Sequence, residues 1–327
     1  MYMKTRQLGT SGLEIAPLAL GGNVFGWTAD ENMSFRLLDA FIDSGLNLVD
    51  TADVYSVWAP GHTGGESETV IGKWLKRTGK REKIVIATKV GMEMSPSEKG
   101  LSRKHILQSA ERSLARLQTD YIDLYQSHID DTDTPIEETL GGYAQLAEQG
   151  KIRAIGASNY GAERLAQALA TSGRLGYPAY QSLQPHYNLY DRESYERDLE
   201  PFCAERKLGV IPYFSLARGF LSGKYRAEED LSKSVRGGGV KRYLNDRGFR
   251  ILSALDRAAK ELNSSPASVS LAWLIARPGI TAPIASATNL DQLAQLIGAT
   301  NLKLDQATID LLNSASAWGA EEDQAAD

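Results

Sequence analysis

Eight short apolar runs recur along the chain, each followed by a longer amphipathic stretch, and this alternation limits the fold more than any other feature. The runs are "PLALGG", "LNLVD", "KIVIATK", "YIDLYQSH", "AIGASN", "AYQSLQ", "GVIPYF" and "TAPIAS". Runs of this length, rich in Val, Ile, Leu and Tyr, read as buried strands. The stretches between them read as helices. "ENMSFRLLDAFIDSG" places apolar residues at helical spacing and stops at Gly45, a C-terminal signal. "GESETVIGKWLKRTG" opens on acids and closes on bases, which suits the helix dipole. "LSRKHILQSAERSLARLQ" has Ser102 as N-cap, and "TPIEETLGGYAQLAEQG" has Thr134 as cap, Pro135 in the first turn and Gly150 as stop. "GAERLAQALATSG", "SYERDLEPFCAERKLG", "DRGFRILSALDRAAKELN" and "NLDQLAQLIGAT" complete the series. Eight strand–helix units predict an α/β fold with a parallel sheet, and eight is the number that closes a (β/α)8 TIM barrel. Two segments are left over. "TRQLGTSGLEIAP" reads as an N-terminal hairpin on the barrel floor, and "SPASVSLAWLIARPG" as an extra helix towards the C-terminus.

No low-complexity linker divides the chain, so residues 1–327 are expected to form one domain, with the acidic tail 319–327 frayed. The net charge of -5 gives no basic footprint for nucleic acid. No apolar run approaches a membrane span, and no apolar signal segment opens the chain. The single cysteine, Cys203, excludes an internal disulfide and suits a reducing cytoplasm; it reads as a buried small hydrophobe. The four histidines are scattered, and no Cys/His cluster has metal spacing. There is no G-x-G-x-x-G turn. "GFLSGKY" falls short of a P-loop by one residue and has Tyr where a magnesium-binding hydroxyl belongs.

From the second onwards, each predicted strand ends on polar groups: Asp50, Lys89, His128, Ser158 with Asn159, Gln184, Tyr213 and Ser286. In a parallel barrel the strand C-termini share one rim, where active sites lie. Taken singly, each residue has an ordinary structural reading: Asp50 as a turn cap, Lys89 as a solvated strand end, His128 as a core histidine, Tyr55 as a packed phenol with its hydroxyl in water. Together they fit reduction of a carbonyl. A free phenol has a pKa about 10 and is a poor acid at pH 7; an adjacent ammonium lowers that value. Asp50 would hold Lys89 in place, Lys89 would activate Tyr55, and His128 would orient the carbonyl. The stretch "DTADVY" then makes sense, since its turn carries Tyr55 back over the mouth.

From about residue 4 to residue 315 the chain closely resembles the aldo-keto reductase superfamily, in "NLVDTADVY", "IATKVG", "DYIDLYQSHIDD", "TPIEETLGGYAQLAEQGKIRAIGASNY", "QPHYNLYDR", "PYFSLARGFLSGKY" and "LAWLIARPG". The resemblance implies a TIM barrel that binds a nicotinamide cofactor without a Rossmann domain, NADP(H) ahead of NAD(H). It implies the tetrad Asp50, Tyr55, Lys89 and His128, with Tyr55 as general acid. It places Ser158, Asn159 and Gln184 on the carboxamide, Tyr213 against the nicotinamide ring, and Gly22 and Asn23 among the cofactor contacts. Ser215, Leu216 and Gly219 with Lys224 would follow the pyrophosphate, and Ser286, Thr288 and Gln292 the 2'-phosphate. Two departures stand out. The familiar "PYSPL" is "PYFSL" here, and the last loop lacks the Lys and Arg of many members, with Leu296 where an Asn is usual. The expected preference for NADPH is therefore modest.

The implied substrate is a small carbonyl compound or alcohol, with no nucleic acid, membrane or metal partner. Trp27, Tyr55, Trp58 and His128 would line an aromatic pocket suited to sugars, aryl aldehydes or quinones alike, although Trp58 also reads as an exposed loop residue. Rival readings are a Schiff-base lyase using Lys89, a cofactor-binding regulatory subunit like the potassium-channel β-subunits, and a sugar or pyridoxal dehydrogenase working oxidatively. The long loop "SVWAPGHTGGESE" beside the tetrad reads as a flexible substrate lid.

Overall fold

The structure, a computed structural model, describes residues 4–235 and 237–318; the frayed tail expected at 319–327 lies outside the described residues. A hairpin of β1 (Arg6–Gln7) and β2 (Glu14–Ile15) opens the chain. Eight parallel strands follow: β3 (Ala19–Gly21), β4 (Leu48–Asp50), β5 (Val85–Val90), β6 (Ile122–Ser127), β7 (Ile152–Ser158), β8 (Tyr180–Gln184), β9 (Gly209–Val210) and β10 (Ile284–Ala285). They pair in the order β10-β3-β4-β5-β6-β7-β8-β9. The sheet closes where Thr281 N donates to Val210 O at 2.7 Å and Ile284 N to Pro212 O at 2.9 Å. The expected (β/α)8 barrel is thus present.

Helices α1 (Glu31–Asp43), α2 (Glu66–Thr78), α3 (Arg103–Leu117), α4 (Ile136–Glu148) and α5 (Ala162–Leu175) return the chain between successive strands. α6 (Glu193–Glu196) and α7 (Leu199–Arg206) precede β9, α8 (Asp246–Glu261) and the additional α9 (Pro266–Ala276) precede β10, and α10 (Leu290–Ala299) and α11 (Gln306–Ala315) follow it. Two expectations need correction. "SYERDLEPFCAERKLG" is two helices, because the ring of Pro201 crowds the carbonyl four residues back, at Arg197, where the break falls. Thr134 does not cap α4. Its hydroxyl donates to Asp131 Oδ2 at 2.7 Å, and Pro135 takes the cap position.

The strand alternation sorts the apolar residues into two layers. Leu48, Ala87, Leu124, Ala154, Ile211, Ala282 and Ile284 point inward and pack with Leu8 and Ile15 of the hairpin, which plugs the barrel floor. Residues one step along, such as Val49, Ile86, Tyr125 and Ile155, point outward beneath the helices. The hairpin sits tight against the strands. A side chain on Gly9, at φ +60°, would strike Gln181 O at 2.2 Å.

Candidate active site

Two residues above the apolar floor, the same inward face turns polar. Leu48 gives way to Asp50, Ala87 to Lys89 and Leu124 to Gln126. Lys89 is completely buried, so it is no solvated strand end. Its ammonium has three donors, and each has an acceptor: Asp50 Oδ2 at 2.7 Å, Thr51 O at 2.8 Å and Tyr55 Oη at 3.2 Å. Burial opposes the charge, but the attraction of Asp50 and Tyr55 outweighs it and raises the Lys89 pKa above its ordinary value. The other oxygen of Asp50 accepts from Gln184 Nε2 at 2.9 Å and Gln126 Nε2 at 3.4 Å. The carboxylate therefore closes a network spanning β4, β5, β6 and β8.

His128 lies on the other side of Tyr55, with ring centroids 5.9 Å apart. Burial, then the charge of Lys89, drives its pKa well below the usual imidazole range. The ring is neutral at pH 7, which makes it a hydrogen-bonding group and a poor proton source. Its carbonyl oxygen accepts from Asn159 Nδ2 at 2.9 Å, and Asn159 Oδ1 accepts from Tyr213 Oη at 2.8 Å. Ser158 Oγ donates to Gln184 O at 3.0 Å. The residues expected at the ends of the fourth to seventh barrel strands thus form one contiguous group with the tetrad. Tyr55 also meets Trp58 edge-on at 5.5 Å, and Trp58 meets Trp27 at 5.8 Å. Trp58 is 47% exposed yet belongs to this aromatic wall.

Two further groups occupy the same rim. Asn23, after β3, accepts from Ser286 Oγ at 2.6 Å, and a Cβ on Gly22 would crowd Ser67 Oγ at 2.9 Å and Asp50 O at 3.2 Å. Gln292 Oε1 accepts from both the N–H and the hydroxyl of Thr288, at 2.9 and 3.1 Å, while Asn289 caps α10. After β9, Ser215 is buried and its hydroxyl donates to Pro212 O at 3.1 Å. Gly219 has φ +97°, and a Cβ there would lie 3.4 Å from Lys224 Cε. Leu216 is half-buried and Lys224 exposed. Leu296 is buried in the core.

Sequence reasoning missed several members. Thr51 contributes only a carbonyl, which no side-chain pattern reveals. Gln126 was legible, since it lies two residues before His128 on the same strand face. His186 stacks on Tyr213 at 5.3 Å and 17° and pairs with Asp191 at 3.0 Å; its signal was the run "QPHYNLYDR". Asp53 is buried within the Tyr55 turn, with neither carboxyl oxygen in a well-formed hydrogen bond. Burial first and the charge of Glu68 next push its pKa up to about 8, against the pull of Arg116. The loop from Ser56 to Gly65, expected as a flexible lid, is tied at both ends: Ser56, Thr63 and Gly64 all donate their N–H groups to Glu66.

The mouth of a parallel eight-stranded barrel thus holds a buried lysine that donates to a buried aspartate and to the half-buried Tyr55. Residues 17–317 match the Aldo/keto reductase family, and the chain belongs to that family, whose members generally use NAD(P)H. It is 34% identical over 318 residues to the uncharacterized oxidoreductase YrpG of Bacillus subtilis (strain 168), covering 95% of each chain. It is 34% identical over 303 residues to the aldo-keto reductase YhdN of the same organism, covering 90% of this chain and 87% of the relative. A probable voltage-gated potassium channel subunit beta of Oryza sativa subsp. japonica is 32% identical over 301 residues, with 90% of each chain covered. No helix among the described residues is long and apolar enough to cross a membrane.

Proposed function

We propose that the protein reduces aldehydes or ketones to alcohols, or runs the reverse reaction, with NADP(H) as cofactor and Tyr55 as general acid and base. The observation that carries this reading is one ammonium, Lys89, donating to both the Asp50 carboxylate and the Tyr55 phenol. A cation against a phenol oxygen favours the phenolate and makes the phenol a better acid. The neutral imidazole of His128 orients the carbonyl oxygen towards Tyr55. As the oxygen gains charge, Tyr55 delivers its proton and Lys89 stabilises the phenolate left behind. When bound, the cofactor would supply the hydride, and the chain's own residues would hold the carbonyl and move the proton.

The residues present fit that cofactor by their chemistry. Asn159 and Gln184 bring amides to the mouth for a carboxamide. Tyr213 is half-exposed and backed by His186, which leaves one ring face for a flat heterocycle. The buried hydroxyl of Ser215 is already used, so this segment would serve the pyrophosphate with backbone N–H groups and with Lys224. A raised Lys89 pKa argues against the lyase reading, because a Schiff base needs a neutral amine.

The likeness to a channel β-subunit supports a second reading, in which cofactor is held while turnover is very slow. Steady-state turnover of simple aldehydes separates the two. Tyr55→Phe is expected to cost at least ~10²–10⁴ in turnover, the usual range for general acid catalysis, with little change in cofactor binding. Turnover near that of the wild type in this variant would remove Tyr55 from the acid role.

A further inference from the structure

The first turn of α2 holds Glu66, Ser67 and Glu68, and each has different partners. Ser67 Oγ donates to Gly22 O and accepts from Thr51 Oγ1, both at 2.8 Å. Glu68 is buried, accepting from Thr88 Oγ1 at 2.6 Å and Arg116 Nε at 2.7 Å. Glu66 faces the loop that carries Trp58. Its Oε2 accepts from Ser56 N and Gly64 N, both at 3.1 Å, and its Oε1 from Thr63 N at 2.8 Å. Both ends of the loop are thereby tied to one carboxylate. The first of these donors is the residue after Tyr55. His62 Nδ1 lies 2.9 Å from Ser56 Oγ, a further tie across the same loop. Burial opposes the Glu66 charge, but the N–H groups of Thr63 and Ser56 and the nearby His62 prevail and hold its pKa below the ordinary value. Glu66 is ionised at neutral pH, when an acceptor for three donors is needed.

We propose that Glu66 is a positioning residue: its carboxylate gathers the ends of the Ser56–Gly64 loop so that Trp58 stands beside Tyr55, and it thereby sets how strongly the mouth prefers carbonyls borne on flat rings. This rests on the reading of Tyr55 as the acid. Trp58 touches both Tyr55 and Trp27 by ring edges, so its position decides whether a flat substrate finds an aromatic wall. An aryl aldehyde gains from that wall, and a short aliphatic aldehyde does not. The hydrogen bonds of Glu66 go to backbone N–H groups of the loop, and the rate with propanal reports whether its loss also disturbs Tyr55.

The test compares wild type, Glu66→Ala and Glu66→Gln by hydrogen exchange and by kinetics with 4-nitrobenzaldehyde and propanal. In Glu66→Ala, amides within 56–64 are expected to exchange at least about tenfold faster while β4 and β5 stay protected. KM for 4-nitrobenzaldehyde should rise roughly three- to tenfold, the scale of one aromatic contact, with propanal changed less than about twofold. Glu66→Gln retains one acceptor oxygen and should fall between, and it carries the test if Glu66→Ala does not fold. Unchanged exchange in 56–64, or an equal rise in KM for both aldehydes, overturns the proposal. If the wild type reduces neither aldehyde, the carbonyl-reduction reading falls together with the selectivity claim, and exchange alone then decides whether Glu66 is the clamp.

Discussion

The Lys89 ammonium does two jobs that can be separated by mutation. It neutralises a buried carboxylate, and it sits against a phenol. Lys89→Met leaves Asp50 buried without its cation, a change that costs about 3–5 kcal/mol where one partner of a buried pair is removed. It also removes the charge that favours the phenolate, so turnover should collapse in both directions. Lys89→Met combined with Asp50→Asn removes both charges, and much of the lost stability should return. Turnover should not. Thermal melts and steady-state rates on the two variants check this; recovery of activity in the double variant would deny Lys89 its part in activating Tyr55. Asp50, Lys89 and His128 were legible in the sequence because each stands at the end of a strand whose pattern marks it, and Tyr55, in the turn after β4, through its spacing from Asp50. Gln126, on the same face, carried a comparable signal, but a glutamine has no distinctive chemistry to announce it.

The turn between β4 and α2 carries a second acid. Asp53 is buried and held near pKa 8 by burial and Glu68, and the other charges facing it are Arg116 and Lys89. The Tyr125 phenol nearby is likewise raised, chiefly by burial and then by Asp53. The fold prefers the neutral acid. Below about pH 4, folded and unfolded chains both hold this proton and the preference is fully in force. As pH rises to about 8 the unfolded chain gives the proton up and the folded chain keeps it. Stability is lost over that window at up to about 1.4 kcal/mol per unit, and the slope ends once both states are ionised. Asp53→Asn abolishes the dependence. Denaturant midpoints of the variant are expected to gain on those of the wild type from pH 5 to pH 8. Parallel curves would mean that Asp53 is ionised throughout. Nothing local in "DTADVY" distinguishes Asp53 from Asp50. Strand alternation sends Asp50 into the barrel, while the turn leaves Asp53 buried near Glu68, Arg116 and Tyr125, on the helix side of the strands.

Closure of the barrel brings together residues from opposite ends of the chain. Ser286 donates to Asn23, which lies 263 positions earlier, because β10 pairs with β3. The loop after β10 offers hydroxyls and amides without a cation, beside the N-terminus of α10. A helix N-terminus favours an anion, while Asp291 in the first turn opposes it. NADPH is expected to bind about tenfold more tightly than NADH, or about 1.4 kcal/mol. Gln292→Arg should widen the gap, since it adds charge and frees the N–H and hydroxyl of Thr288, which Gln292 now holds. Ser286→Asp should reverse it. Dissociation constants by fluorescence quenching decide; equal or tighter NADH binding by the unaltered protein would count against this assignment of the loop. By itself the sequence determined the eight strand–helix units, the hairpin, the polar strand ends and the family, because each rests on local periodicity or on linked motifs. Only the tertiary structure decided that Lys89 has all three donors taken, that Thr51 lends it a carbonyl, that Asp53 is buried without a well-formed hydrogen bond, and that Glu66 ties both ends of the loop expected as a lid. Those properties depend on burial and on distances between segments far apart in the chain, and neither is fixed until the barrel closes.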